Sequence, residues 1–78
     1  MKTVKVCLNS IEAVRNFVEV VRQFEGDIDL SSGRYVVDAK SIMGIFSLDL
    51  MNPITLTAYS TDENCDKLIE SVKAYVVD

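Results

Sequence analysis

Residues 24–50 read FEGDIDLSSGRYVVDAKSIMGIFSLDL, and the fold is decided here. From Asp27 to Ser31, apolar Ile28 and Leu30 alternate with polar neighbours. That is the period of a half-buried strand. Ser32-Gly33 supplies a hairpin turn. Arg34 to Asp38 returns as a second strand, with Tyr35 and Val37 on one face and Val36 on the other. Ser41 then stands before an apolar run. A serine there caps a helix, because its oxygen accepts from an orphan backbone N–H. The expected helix runs from Ser41 to about Leu50, and Asn52-Pro53 breaks it.

Upstream, Lys2 to Leu8 reads as a strand with Val4 and Val6 on one face. Asn9 and Ser10 both offer caps, and Asn9 with Glu12 has the spacing of a capping box. Ile11, Val14, Phe17, Val18, Val21 and Phe24 form one helical stripe. Glu12 with Arg15, and Glu19 with Arg22, sit three apart on its outer surface. Gly26 is placed to end that helix as its C′ residue. Downstream, Pro53 opens a strand over Ile54–Ser60, with Ile54, Leu56 and Ala58 opposed to Thr55, Thr57 and Tyr59. Ser60 with Glu63 again has capping-box spacing. Cys65, Leu68, Ile69, Val72, Tyr75 and Val76 mark an amphipathic terminal helix. Strand faces alternating with one-stripe helices predict a two-layer α+β fold, helices on one face of the sheet.

Seventy-eight residues fit one domain spanning 1–78. A 49% hydrophobic fraction is enough for a packed core. Eight basic against twelve acidic residues leave a net charge of −4, with no run of Lys or Arg. That charge disfavours nucleic acid and an anionic membrane surface. Cys7 and Cys65 form neither a disulfide framework nor a metal-ligand spacing, so they read as small buried hydrophobes. The sequence leads straight into a strand without a signal-peptide pattern, and no apolar run approaches the ~20 residues of a membrane span. A reducing, cytoplasmic setting is the expectation. No group of His, Cys, Asp or Glu has catalytic or metal spacing, so no enzyme activity, cofactor or metal is expected.

The run from Lys40 to Leu48, with Phe24, Asp27-Ile28, Leu30 and Gly33 before it, resembles the regulatory-serine region of HPr. HPr is the histidine-containing phosphocarrier of the bacterial sugar phosphotransferase system. The resemblance implies an open-faced sandwich: a four-stranded antiparallel sheet with three helices on one face. It also implies that the family's phosphate-carrying histidine falls on Ser10, with the following arginine and proline on Glu12 and Ala13. This chain has no histidine. A serine phosphoester is too stable to shuttle phosphate, and Glu12 would repel the anion that a guanidinium should pair with.

What carries over is regulation. The resemblance makes Ser41 the acceptor for an HPr-type serine kinase/phosphorylase. Ile42, Met43 and Phe46 become a patch read by a transcription regulator or transport-system protein, with Lys40 beside the acceptor. The orphan N–H groups and positive dipole end of a helix favour such a phosphate. Three alternatives stay open. Ser41 is a plain cap and Ile42, Met43 and Phe46 are core; or the chain is a degenerate interaction domain that is never phosphorylated; or it is a small acylphosphatase-like enzyme. That last chemistry needs a phosphate-cradling loop with an arginine, for which Gly33-Arg34 is the one weak candidate. Oligomeric state is left open, since the open sheet face and the helix patch both permit self-association.

Overall fold

The computed structural model describes residues 1–77. The elements are β1 (Lys2–Val6), α1 (Ile11–Val21), β2 (Asp27–Ser32), β3 (Tyr35–Asp38), α2 (Ile42–Phe46), β4 (Ile54–Tyr59), α3 (Asp62–Ser71), a 3-10 turn (Lys73–Tyr75) and β5 (Val76–Val77). The sheet is antiparallel, in the order β3-β2-β4-β1-β5. This is the expected α+β sandwich with one strand more than the four expected.

Register explains the core. Central β4 sets Leu56 opposite both Val4 and Leu30, and Ala58 opposite both Lys2 and Ile28. Val6, Ile28, Leu30, Ile54, Leu56 and Ala58 are buried on the helical side of the sheet. Val14, Phe17, Val18 and Val21 of α1 pack onto them, as do Cys65 and Leu68 of α3. Phe17 meets Tyr75 edge to face, with ring centroids 5.9 Å apart at 84°. Such a pair is worth about 0.5–1.5 kcal/mol beyond the area it buries. Thr3, Lys5, Asp29, Ser31, Thr55, Thr57 and Tyr59 alternate onto the other face.

Several boundaries differ from the sequence reading. Ser10, not Asn9, caps α1, so the Asn9–Glu12 box does not form. Ile11 lies just past the cap and is 67% exposed, outside the core stripe. Helix α1 closes at Arg22, whose N–H bonds the Val18 carbonyl. Gly26 is therefore no C′ residue. Its φ is +137°, and a Cβ there would lie 2.9 Å from the Tyr59 carbonyl oxygen, so it serves the close entry of β2 beside β4. The hairpin turn is Gly33-Arg34, because Ser32 already pairs with Tyr35. Gly33 has φ +59° and Arg34 a negative φ, the pattern of a type II′ turn.

Helix α2 stops at Phe46 rather than near Leu50. The Ser47 hydroxyl and N–H both donate to the Gly44 carbonyl, tightening the last turn. The Asp49 carboxylate then accepts from Met51 N and Asn52 Nδ2, committing the chain to a turn before Pro53. Thr61, not Ser60, caps α3, and its Oγ1 accepts from Asn64 N at 3.2 Å.

The terminal helix is split: α3 ends at Ser71, and Val76–Val77 become β5 along the outer side of β1. Cys7 N donates to the Tyr75 carbonyl at 2.8 Å on the way. Two β-branched residues beside an unpaired strand edge gain more from ladder hydrogen bonds than from one more helical turn. Of the paired surface charges, Glu19–Arg22 forms at 3.7 Å, whereas Glu12 and Arg15 are absent from the ion pairs among the described residues. Cys65 is buried and Cys7 half-buried; both thiols are free.

Candidate functional site

Two serines start helices on this framework with the same capping hydrogen bond. Ser10 Oγ accepts from Ala13 N at 3.0 Å, and Ser41 Oγ accepts from Gly44 N at 3.2 Å. Both are exposed. Each hydroxyl uses a lone pair on the helix and keeps its O–H free to donate outward. Glu12 stands in the first turn of α1, whereas the first turn of α2 carries no acid. Within its own first turn, an added anion therefore meets an acid at Ser10 and none at Ser41, where the nearest carboxylate in the chain is that of Asp38 in the preceding turn. With five residues, α2 contributes little macrodipole; the unsatisfied N–H groups of its first turn matter more.

Ser41 is positioned by the end of β3. Its N–H bonds the Asp38 carbonyl at 3.0 Å, while the Asp38 carboxylate accepts from Lys40 N at 2.8 Å. The Lys40 ammonium donates to the Phe24 carbonyl at 2.8 Å, tying the segment after α1 to the loop before α2. Lys40 is thus a tether here rather than a free cation beside Ser41. Gly44 lets α2 sit close: a Cβ there would be 3.2 Å from both Ser41 Oγ and Val37 Cβ.

The predicted patch divides. Met43 is 78% exposed and Phe46 41% exposed, while Ile42 is half-buried against the core. Met51, 89% exposed just beyond α2, joins the exposed apolar residues and escaped the sequence reading. Its signal was Asp49, whose turn lifts the chain out after the helix. Ile11 escaped because one-stripe periodicity carried it into the core by extrapolation.

No base lies within hydrogen-bond reach of Ser41 Oγ among the described residues; its partner is an amide. An unactivated hydroxyl is a weak nucleophile, so this serine is suited to be a substrate for another protein's chemistry. Among the described residues, no group of three His, Cys, Asp or Glu is arranged to hold a metal ion. No helix among the described residues is long and apolar enough to cross a membrane.

Residues 11–78 match the family model described as the PTS HPr component phosphorylation site. The chain belongs to this family. No curated protein sequence matches the chain significantly. Among solved structures it is similar to the phosphocarrier protein HPr of Bacillus anthracis at 32% identity and TM-score 0.72, over 97% of this chain and 94% of that one. Crh, the Bacillus subtilis catabolite-repression-containing protein, is 32% identical with a TM-score of 0.65, over 96% and 90% of the two chains. Its structure shows a swapped domain in an intertwined dimer. HPr-C-His of Thermoanaerobacter tengcongensis superposes with TM-score 0.76 at 28% identity, over 95% and 93%. The HPr family consists of phosphocarrier proteins and not of enzymes. The acylphosphatase-like alternative is thereby set aside. Gly33-Arg34 is a hairpin turn and no phosphate loop.

Proposed function

We propose that this HPr-family chain is a regulator read through Ser41 and not a histidine phosphocarrier. The observation that carries the reading is an exposed helix-start serine, with no acid in the first turn of its helix and exposed Met43 and Phe46 on that helix, in a chain without histidine. Similarity to the catabolite-repression protein Crh supports it. In this reading a cytoplasmic serine kinase/phosphorylase of the HPr-kinase type modifies Ser41. A transcription regulator or a transport-system protein then reads the product.

The physics is local. A phosphate adds about −1.5 to −2 charge. It takes over the Gly44 N–H that Ser41 Oγ now caps, and it turns the Met43–Phe46 surface into a mixed anionic and apolar one. Partners bearing Arg or Lys gain affinity and acidic partners lose it. Carrier activity fails for a chemical reason: transfer in both directions needs a nucleophile whose phosphoryl adduct is labile, and Ser10 forms a stable ester.

The test is incubation of the purified protein with ATP and the family's serine kinase, followed by intact-mass and fragment mapping. One phosphate on Ser41 is expected. An unmodified chain, in a mixture where the kinase modifies a genuine HPr, sinks the reading.

A second reading rests on the cap itself. Ser41 Oγ already has a structural task, which favours a domain that binds a protein without being phosphorylated. Binding that survives both Ser41→Ala and Ser41→Asp but fails in Phe46→Ala selects it.

A further inference from the structure

The strand β3 ends the sheet and pairs on one side only. Tyr35 and Val36 on it are 71% and 63% exposed. Its backbone polarity follows from the register. Ser32 pairs with Tyr35, Leu30 pairs with Val37, and Ala39 N donates to the Ile28 carbonyl at 2.9 Å. The backbone groups of Tyr35, Val37 and Ala39 thus point inward to β2, and those of Val36 and the N–H of Asp38 point outward, the Asp38 carbonyl being taken by Ser41 N. An outward ladder of this kind is an open template for another strand.

The charges along the edge are self-complementary. Arg34, the last residue of the turn, precedes the strand and Asp38 ends it, two residues either side of Val36. Among the described residues, no ion pair includes Arg34, Asp27, Asp29 or Asp38. Behind Asp38, on the open face, lies a depression of about 310 Å³ lined by Asp27, Ile28, Asp29, Asp38 and Tyr59. Three carboxylates and no cation line it.

We propose that β3 pairs antiparallel with β3 of a second copy of this chain, Val36 facing Val36 at the two-fold axis and each Arg34 facing the other copy's Asp38. Four backbone hydrogen bonds close across the axis: two between the Val36 residues, and one from each Asp38 N–H to the opposing Arg34 carbonyl. Each guanidinium enters the acidic depression of the opposite copy. Register is fixed by charge. A slip of two residues leaves the Arg34 residues without a carboxylate. A slip of four brings Asp38 against Asp38, or Arg34 against Arg34, and like charges directly opposite are unfavourable. The strand has four residues, so the contact falls well short of the roughly 1,200–2,000 Å² of stable interfaces. The dimer is therefore weak, with a dissociation constant of about 0.1–1 mM, and exchanges rapidly. An intertwined swapped dimer, in contrast, must open to separate.

Sedimentation equilibrium of the full chain from about 10 µM to about 1 mM tests this, with far-UV circular dichroism confirming the fold of each variant. The wild type is expected to shift from monomer to dimer across that range. Arg34→Glu, in an exposed turn, weakens association by at least about tenfold, and Arg34→Lys does not. Asp38→Lys alone also weakens it, but mixing Asp38→Lys with Arg34→Glu restores dimer, because every cross-strand pair is then of opposite sign. If Asp38→Lys does not fold, the Arg34→Glu and Arg34→Lys pair decides. A monomeric wild type at the highest concentration overturns the proposal. So does an Arg34→Glu chain that dimerises as the wild type does, or a dimer that persists on dilution.

Discussion

Ser10 and Ser41 carry out the same local task and differ in everything around it. Each caps a helix through its side-chain oxygen. Helix α1 behind Ser10 has eleven residues, four of them buried in the core, and a glutamate in its first turn. Helix α2 behind Ser41 has five residues, one of them buried, and no acid there. The cap at Ser10 thus holds up the fold, while the cap at Ser41 holds up a surface. A helix start with much to support and an acid in place has little room for regulation. One with little to support and no acid can take a phosphate without disturbing the core.

The most decisive way to break this contrast is the kinase experiment. The HPr-type kinase is expected to place phosphate on Ser41 and none on Ser10. Ser41→Ala should abolish labelling and Ser10→Ala should leave it intact, as read by intact mass. Phosphate on Ser10 would show that exposure, not surroundings, selects the site.

The next effects are on stability. Lys40→Met removes the ammonium from the half-buried contact with the Phe24 carbonyl and should cost about 1–2 kcal/mol in urea denaturation. If Lys40 instead waits for a phosphate at Ser41, the loss will be near zero and phosphorylation will stabilise the wild type more than the variant. Ser10→Ala should cost about 1 kcal/mol. Ser41→Ala should cost about half of that or less, because α2 can fray without opening the core. Equal costs would mean that α2 is as deeply tied to the fold as α1.

Much of this was legible in the sequence. Period-2 and period-3.6 runs gave β1 through α3 in order, and Ile28, Leu30, Ile54, Leu56 and Ala58 fell on the core side as read. Ser41 as a cap was legible too, since its signal is local. What was not legible depended on neighbours distant in the chain. Val76–Val77 continue a helical stripe on paper and become a strand because β1 offers an edge. Lys40 is adjacent to Ser41 in sequence, but its amine is claimed by a carbonyl sixteen residues earlier. The choice of Ser10 over Asn9, and of Thr61 over Ser60, was set by where the preceding strands release the chain. The exposure of Ile11 and Met51 followed from helix ends that periodicity does not mark.

The first turn of α2, with no acid, has its opposite on the open face of the sheet, where Asp27 and Asp29 stand beside Tyr59. The smallest expected effect is there. Hydrogen bonding to Asp29 raises the Tyr59 phenol above its ordinary value, with partial desolvation and the charges of Asp29 and Asp27 adding in the same direction. The sign for stability follows. The folded chain holds this proton more tightly than the unfolded chain does. The contribution is fully present below the unfolded pKa of about 10 and is lost as pH rises through the higher folded value. Because the group faces solvent, the change in stability is small and the titration itself is the better readout. Following the Tyr59 ring carbons by NMR, Asp29→Asn should move the midpoint down toward the ordinary value. Raised salt should move the wild type in the same direction, by screening the Asp27 and Asp29 charges. A midpoint that ignores Asp29→Asn would mean that the carboxylates do not govern this face.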